Sequence, residues 1–87
     1  MIKTFNNSDK NNCFLVKHKA EDYVESVIID TDKKEITIKY QWDILPPKEK
    51  EIIIEEYTKF GILVNSTTYN ITDIIKYEKD LVTYIYE

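Results

Sequence analysis

The single cysteine, Cys13, and the single histidine, His18, are the pair that could act as a nucleophile and its general base. Such catalysis requires the thiol and the imidazole to be held in contact by the fold. Their spacing is typical of no catalytic family, and a lone cysteine in a chain of this kind is more often a small buried hydrophobic residue. We therefore expect Cys13 to be buried, and we predict no catalytic residues.

Carboxylate pairs are the other chemistry that the sequence offers. Glu55 and Glu56 are adjacent, and residues 30–35 hold a second pair, but an acidic chain produces such pairs without a substrate site between them. Residues 30–35 begin like a calcium loop, yet they lack its glycine, its later ligands and its helical flanks. Gly61 is the single glycine, which excludes a glycine-rich phosphate-binding loop. We expect no enzyme activity, no metal and no cofactor.

Recognition of a partner is the function class that remains. Seven tyrosines and one tryptophan exceed what a small core easily encloses, and both residue types are enriched at interface hot spots. Trp42 is expected in the core, although its place beside acidic residues also makes it a candidate contact. The predicted partner-binding residues are Asp30, Asp32, Glu35, Trp42, Asp43, Glu51, Glu55, Tyr77, Tyr84 and Tyr86, of which the three C-terminal tyrosines are expected to be partly exposed.

Charge is distributed unevenly along the chain. Residues 1–19 hold four lysines and one aspartate (+3), whereas residues 20–87 hold eight lysines and fifteen carboxylates (−7), which together give the net charge of −4. The acidic part repels nucleic acid and attracts basic protein surfaces. All twelve basic residues are lysine, so the bidentate phosphate contacts that arginine makes are missing. A protein partner with a basic surface is therefore favoured, and nucleic acid is disfavoured.

A β-hairpin at the centre of the chain is the clearest structural pattern. Apolar residues alternate with polar ones from position 35 to position 42, the two-residue period of a strand. A four-residue connection, Thr31–Lys34, unites the apolar positions of both strands on one face. The predicted pairs are Ile29 with Ile36, Val27 with Ile38, Glu25 with Tyr40 and Tyr23 with Trp42. This hairpin should form the floor of the core, with any functional contacts at its ends.

A helix is predicted over residues 47–60. Proline at its first turn and Gly61 just after it are helix start and stop signals. Its apolar face would carry Ile53, Tyr57 and Phe60, with Ile52 and Ile54 beside it, and would cover the central hairpin. The predicted fold class is α+β, an antiparallel sheet with one helix, or with a second C-terminal one, packed on one face.

The two ends of the chain leave alternatives open. Residues 2–5 and Cys13–Lys17 could form a loose hairpin, or the first residues could be a mobile arm, and we favour a strand at Cys13–Lys17. Residues 71–86 fit either a helix or a hairpin that turns at Glu78 and Lys79. Their density of β-branched and aromatic residues favours the hairpin, with Ile75 opposite Val82 and Ile71 opposite Tyr86.

Size and composition suggest one small domain, residues 1–87, with residues 1–12 loosely ordered. No apolar run is long enough to cross a bilayer, so we expect a cytoplasmic protein and no membrane partner. We predict a small acidic, non-enzymatic protein that binds and inhibits or regulates a protein partner. Phages and mobile elements use such proteins against host or defence enzymes, in some cases by imitating the charge of nucleic acid. The alternatives are a single-strand nucleic-acid-binding module using the N-terminal lysines and a self-associating accessory subunit.

Overall fold

Seven β-strands make up the part of the chain that this computed structural model describes, residues 1–7, 13–17, 24–42 and 50–87. They are β1 (Ile2–Asn6), β2 (Cys13–Lys17), β3 (Val24–Asp30), β4 (Glu35–Tyr40), β5 (Glu51–Tyr57), β6 (Leu63–Glu78) and β7 (Leu81–Tyr86). These residues contain no helix. The α+β prediction is therefore wrong, and the described fold is all-β.

The strands form one antiparallel sheet that curls into a nearly closed barrel. Their order is β1-β3-β4-β7-β6-β5-β2. The 16-residue β6 pairs with β5 through its first half and with β7 through its second half. Register shifts at Thr72 and Ile75 increase its bending and twist. The two outer strands approach each other, since the ring centroids of Phe5 on β1 and Phe14 on β2 are 5.4 Å apart.

The hydrophobic core fills the inside of this barrel. Alternate residues of each strand point inward, so every strand contributes at least one side chain to the core or to its edge. The hydroxyl groups of the buried Tyr40 and Tyr84, on the neighbouring strands β4 and β7, lie 3.5 Å apart, so each can hydrogen-bond to the other. The buried apolar residues are Phe5, Val16, Val24, Val27, Ile29, Ile36, Ile38, Tyr40, Ile52, Ile54, Val82 and Tyr84.

Strand β5, Glu51–Tyr57, occupies the middle of the helix predicted for residues 47–60, of which residues 47–49 lie outside the described ranges. Ile52 and Ile54 are buried and Ile53 between them is partly exposed, which is the alternation of a strand. Three consecutive β-branched residues lose rotamer freedom in a helix, whereas they suit a pleated surface between two neighbouring strands. Here those neighbours are β2 and β6. Phe60 consequently lies beyond the strand rather than on a buried helix face.

The central hairpin is confirmed in its inner part. Ile29 is opposite Ile36, Val27 is opposite Ile38, and residues Thr31–Lys34 form the turn. This register places all four apolar side chains in the core.

The open end of the same hairpin differs from the prediction. A bulge at Glu25 sets Val24, instead of Glu25, opposite Tyr40. Strand β4 ends at Tyr40, and Trp42 lies beyond it with 61% of its surface exposed, so the expectation of a core tryptophan is wrong. The predicted pair of Trp42 with Tyr23 involves a residue outside the described ranges.

At the N-terminal end, Cys13–Lys17 is a strand as predicted. Residues Ile2–Asn6 form neither a hairpin with it nor a free arm. They pair with β3 along five residue positions, while β2 pairs with β5. The two short strands therefore become the opposite edges of the sheet.

At the C-terminal end, the hairpin is confirmed over the helix, and so is the pairing of Ile71 with Tyr86. Val82 pairs with Tyr77 rather than with Ile75, because the bulges at Thr72 and Ile75 each shift the register by one residue. The turn then falls at Lys79 and Asp80, one residue later than predicted.

Candidate functional site

An exposed apolar turn joins β5 to β6. We use the term apolar turn for Phe60, Gly61 and Ile62 together with Leu63 and Val64, the first two residues of β6. Phe60 is 80% exposed, Ile62 and Val64 are each 63% exposed, and Leu63 is 49% exposed. Scattered single apolar residues are normal on a protein surface, but a contiguous group of large ones marks a contact site.

Hydrogen bonds of Thr58 hold the backbone of this turn in place. The Thr58 amide donates to the Ile62 carbonyl oxygen at 2.8 Å, and the Gly61 amide donates to the Thr58 carbonyl oxygen at 2.9 Å. The Thr58 hydroxyl oxygen accepts from the amides of Phe60 and Ile62 at 3.3 and 3.2 Å. Gly61 has a φ of +81°, which glycine adopts without strain. The apolar side chains are thus displayed by a defined turn.

Lys59 supplies the charge beside these side chains. Its Nζ atom lies 5.3 Å from the centroid of the Phe60 ring, within the range of a cation–π contact. The contact covers part of one ring face, yet Phe60 keeps most of its surface exposed.

The turn between β3 and β4, residues Thr31–Lys34, is polar, and neighbouring residues form hydrogen bonds and an ion pair with it. We call it the acidic turn because Asp32 lies within it and Asp30 and Glu35 flank it. The Asp30 carboxylate accepts the amides of Asp32 and Lys33 at 3.0 and 3.2 Å. The amino group of Met1 forms an ion pair with Asp32 at 2.9 Å. Two of the predicted contact residues therefore already serve the turn.

The sheet register places further carboxylates in line with this turn. Asp30 is opposite Glu35, Glu35 is opposite Ile85, and Ile85 is opposite Asp73. Three carboxylates thus occupy one row across four strands, which we call the acidic row. Like charges directly opposite each other, as at Asp30 and Glu35, cost stability in a sheet. Asp30 offsets this cost, since it accepts two amide hydrogen bonds in the acidic turn.

Inside one end of the barrel, Glu56 joins three strands. Its Oε2 atom accepts from Lys3 Nζ at 2.9 Å and from Asn65 Nδ2 at 2.7 Å. Partial burial alone would raise the pKa of Glu56, but the hydrogen bonds from Asn65 and Lys3 and the charge of Lys3 outweigh it, so the pKa lies below its usual value. The carboxylate stays ionised at neutral pH and serves as a structural acceptor.

Two tyrosines line the same end of the barrel. The rings of Tyr69 and Tyr86 are in edge contact, with centroids 4.8 Å apart. Burial, followed by repulsion from the phenolate form of Tyr86 and from the Glu56 carboxylate, raises the pKa of Tyr69. Burial and the charge of Asp30 raise the pKa of Tyr86. Both phenols are therefore protonated at neutral pH and offer no phenolate nucleophile.

The predicted contact residues are spread over the molecule. Tyr84 is fully buried in the core, so the expectation of its partial exposure is wrong, whereas Tyr86 is partly buried and Tyr77 is 43% exposed. Glu51 is exposed at the start of β5. Glu55 is ion-paired with Lys17 at 3.3 Å. Asp43 lies outside the described residues.

In the described ranges, we find no group of side chains arranged for catalysis or for metal binding. No group of three or more histidine, cysteine, aspartate or glutamate side chains there could hold a metal ion. Cys13 is partly buried on β2. His18, the base that it would need, falls outside the residues that the structure describes.

The residues that sequence reasoning missed are those of the apolar turn. The sequence predicts Phe60 on a buried helix face, whereas Phe60 lies at the exposed end of a hairpin. A signal for the correct assignment was available, because a glycine between two β-rich runs is typical of a hairpin turn. It would have placed Phe60 and Ile62 at the tip, where side chains face solvent.

Nothing helical in the described ranges could span a membrane. In comparisons with protein-family models, with curated proteins and with solved structures, no match to this chain was found.

Proposed function

We propose that this chain is a non-enzymatic binding protein that inhibits or regulates a protein partner, and that it docks through the apolar turn. The observation that carries the proposal is the exposure of Phe60, Ile62 and Val64 on a hydrogen-bonded hairpin end. Large apolar side chains on a rigid support bind at a small entropic cost, because little has to be ordered on binding. They would act as the anchors of the interface.

The acidic row supports a partner with a basic surface. Carboxylates in line on one face of the sheet would steer a basic protein toward the chain. The small size and net negative charge fit an inhibitor of the kind that phages and mobile elements direct against host or defence enzymes. In that setting the acidic row would imitate nucleic-acid phosphates.

The nucleic-acid alternative is weakened by the pairing of two N-terminal lysines. Lys3 is bonded to Glu56 and Lys17 to Glu55. Each would have to leave a carboxylate before it could bind a phosphate, which lowers its contribution to affinity.

Affinity capture with matched variants tests the proposal. The wild-type protein, the Phe60→Ser/Ile62→Ser variant and an Ile28→Ser/Ile75→Ser control serve as baits in lysate of the source cells. The control removes two exposed apolar side chains that lie elsewhere on the surface. Retained proteins are quantified by mass spectrometry, and circular dichroism checks that each bait is folded.

We expect a protein retained by the wild type and by the control to be reduced at least about tenfold with the Phe60→Ser/Ile62→Ser bait. A Glu35→Gln/Asp73→Asn bait should retain it with a weaker dependence on salt. Equal retention by the wild type and the Phe60→Ser/Ile62→Ser bait would overturn the docking role of the apolar turn. Wild-type protein that is dimeric in solution, with a dimer that the same double variant breaks, would instead support self-association.

A further inference from the structure

The barrel has a seam between its two outer strands. In the described residues, β1 and β2 end the strand order on opposite sides and are not neighbours in a ladder. Side chains bring the two edges together: the rings of Phe5 and Phe14 meet, and Lys3 reaches Glu56 on β5. The seam thus depends on side-chain contacts where the other junctions of the sheet have backbone ladders.

Glu56 is the polar centre of this seam. One oxygen atom, Oε2, receives hydrogen bonds from Lys3 on β1 and from Asn65 on β6. The Lys3 ammonium group also lies 5.2 Å from the centroid of the Phe5 ring, so it contacts both the carboxylate and the aromatic pair. The Glu56 side chain is 21% exposed, and a partly buried ion pair is screened less than a surface pair.

We propose that Glu56 is a clamp that closes the barrel, and that β1 detaches as a unit when the clamp is released while the β4–β7 centre stays folded. Without the Lys3–Glu56 contact, β1 remains an edge strand, joined to β3 by a ladder and by the Met1–Asp32 ion pair and to β2 by the contact of Phe5 with Phe14. Edge strands of this kind open at a lower free energy than central ones. This device does not depend on the proposed docking function.

The ladder geometry identifies the amides that would report the opening. The Asn7 amide donates to the Glu25 carbonyl oxygen, and the Thr31 amide donates to the Met1 carbonyl oxygen. Bonded pairs alternate along an antiparallel ladder, so the amides of Lys3 and Phe5 are bonded to β3 as well.

Reference amides come from the centre of the sheet. The Tyr40 amide donates to the Asp80 carbonyl oxygen, and the Tyr86 amide donates to the Lys34 carbonyl oxygen. The same alternation places the amides of Ile38 and Val82 in bonded pairs between β4 and β7.

Native-state hydrogen exchange followed by NMR tests the clamp with Glu56→Gln. The matched control is Glu55→Gln, which breaks the ion pair of the adjacent residue with Lys17 at 3.3 Å. That pair joins β5 to β2, which already share a ladder. The control therefore removes a similar charge contact from the same strand without touching the seam.

We expect Glu56→Gln to speed exchange of the Lys3 and Phe5 amides about fivefold while Ile38 and Val82 change less than twofold. The ring-to-ring nuclear Overhauser effects between Phe5 and Phe14 should weaken in parallel, and Lys3→Met should reproduce the pattern. Equal acceleration at all four amides, or the same effect from Glu55→Gln, would overturn the proposal. If Glu56→Gln fails to fold, Lys3→Met alone decides between these outcomes.

Discussion

The acidic turn and the apolar turn have similar backbone structures but expose side chains of different kinds. Each closes an antiparallel hairpin, each has one residue at positive φ, Lys34 at 54° and Gly61 at 81°, and each is held by a side-chain oxygen that accepts two amides. In the acidic turn, that oxygen comes from Asp30, and charged side chains fill the exterior. In the apolar turn, it comes from Thr58, and the exterior carries Phe60 and its apolar neighbours.

The difference shows that the apolar side chains are not needed to build the turn. Polar capping is sufficient in both hairpins, and the exposed side chains of the apolar turn bury little surface within the chain. Exposed apolar groups promote aggregation, and this cost supports the proposal that those of the apolar turn serve a contact.

The largest expected effect is a difference in the free energy of unfolding between a substitution in the core of the β5–β6 hairpin and one at its end. Ile54→Ala removes a fully buried side chain and should lower the free energy of unfolding by about 2–4 kcal/mol. Phe60→Ala should change it by less than about 0.5 kcal/mol, because the ring is 80% exposed. Urea unfolding of both variants measures this. A loss above about 1.5 kcal/mol for Phe60→Ala would mean that the ring packs against the fold.

Removal of the capping oxygens should have a moderate and similar effect in the two turns. Thr58→Ala and Asp30→Ala each leave two amides without their acceptor, which should cost roughly 1 kcal/mol in urea unfolding. Asp30→Asn, which keeps an acceptor oxygen, should restore most of the loss. Unchanged stability in both alanine variants would show that the turns are held by other interactions.

Positive φ should produce effects of opposite sign in the two turns. Gly61→Ala places a side chain at a φ of +81° and should destabilise by about 1 kcal/mol, although no atom lies within 4 Å of the added Cβ. Lys34→Gly relieves the strain of a lysine at 54° and should stabilise by up to about 0.5 kcal/mol. Thermal unfolding distinguishes the two signs, and a stabilising Gly61→Ala would contradict this backbone geometry.

The smallest effect is a pH dependence at the base of the apolar turn. The pKa of Glu56 is lower in the fold than its ordinary value of 4.5, so its contribution to stability is complete above that pH and is lost as pH falls through the folded pKa. The wild type should exceed Glu56→Gln in stability at pH 7, and this advantage should shrink at pH values below 4.5. An advantage that is constant with pH would show that the charge of Glu56 is unimportant.

Residues 24–40 show what the sequence was able to predict. There the strict alternation, the four-residue turn and one apolar face all favour the same hairpin, and its inner register is correct. The bulge at Glu25 was not predictable, since its position depends on how the neighbouring strands pack.

Residues 51–57 show why the rest could not be predicted. A proline, alternating charges and a later glycine satisfy the rules for a helix, and three isoleucines in succession fit either structure. The choice is made by long-range pairing with β2 and β6, which no local pattern reports.

The candidate site was predicted only as a class. Tyrosine content and charge favoured a protein contact, but the contact residues were sought among carboxylates and C-terminal tyrosines. The apolar turn became visible once β5 was known to be a strand, because that assignment moves Phe60 from a buried face to a hairpin end.

NMR of the wild-type protein with a soluble gadolinium chelate would show whether residues 51–57 form a strand that leads into an exposed apolar turn. We expect cross-strand nuclear Overhauser effects between Ile53 and Thr68. The chelate should strongly broaden the signals of the exposed Phe60 and Ile62 side chains and leave those of the buried Ile54 unchanged. Helical sequential contacts over residues 51–57, or a Phe60 ring as protected as Ile54 in the monomer, would contradict this assignment.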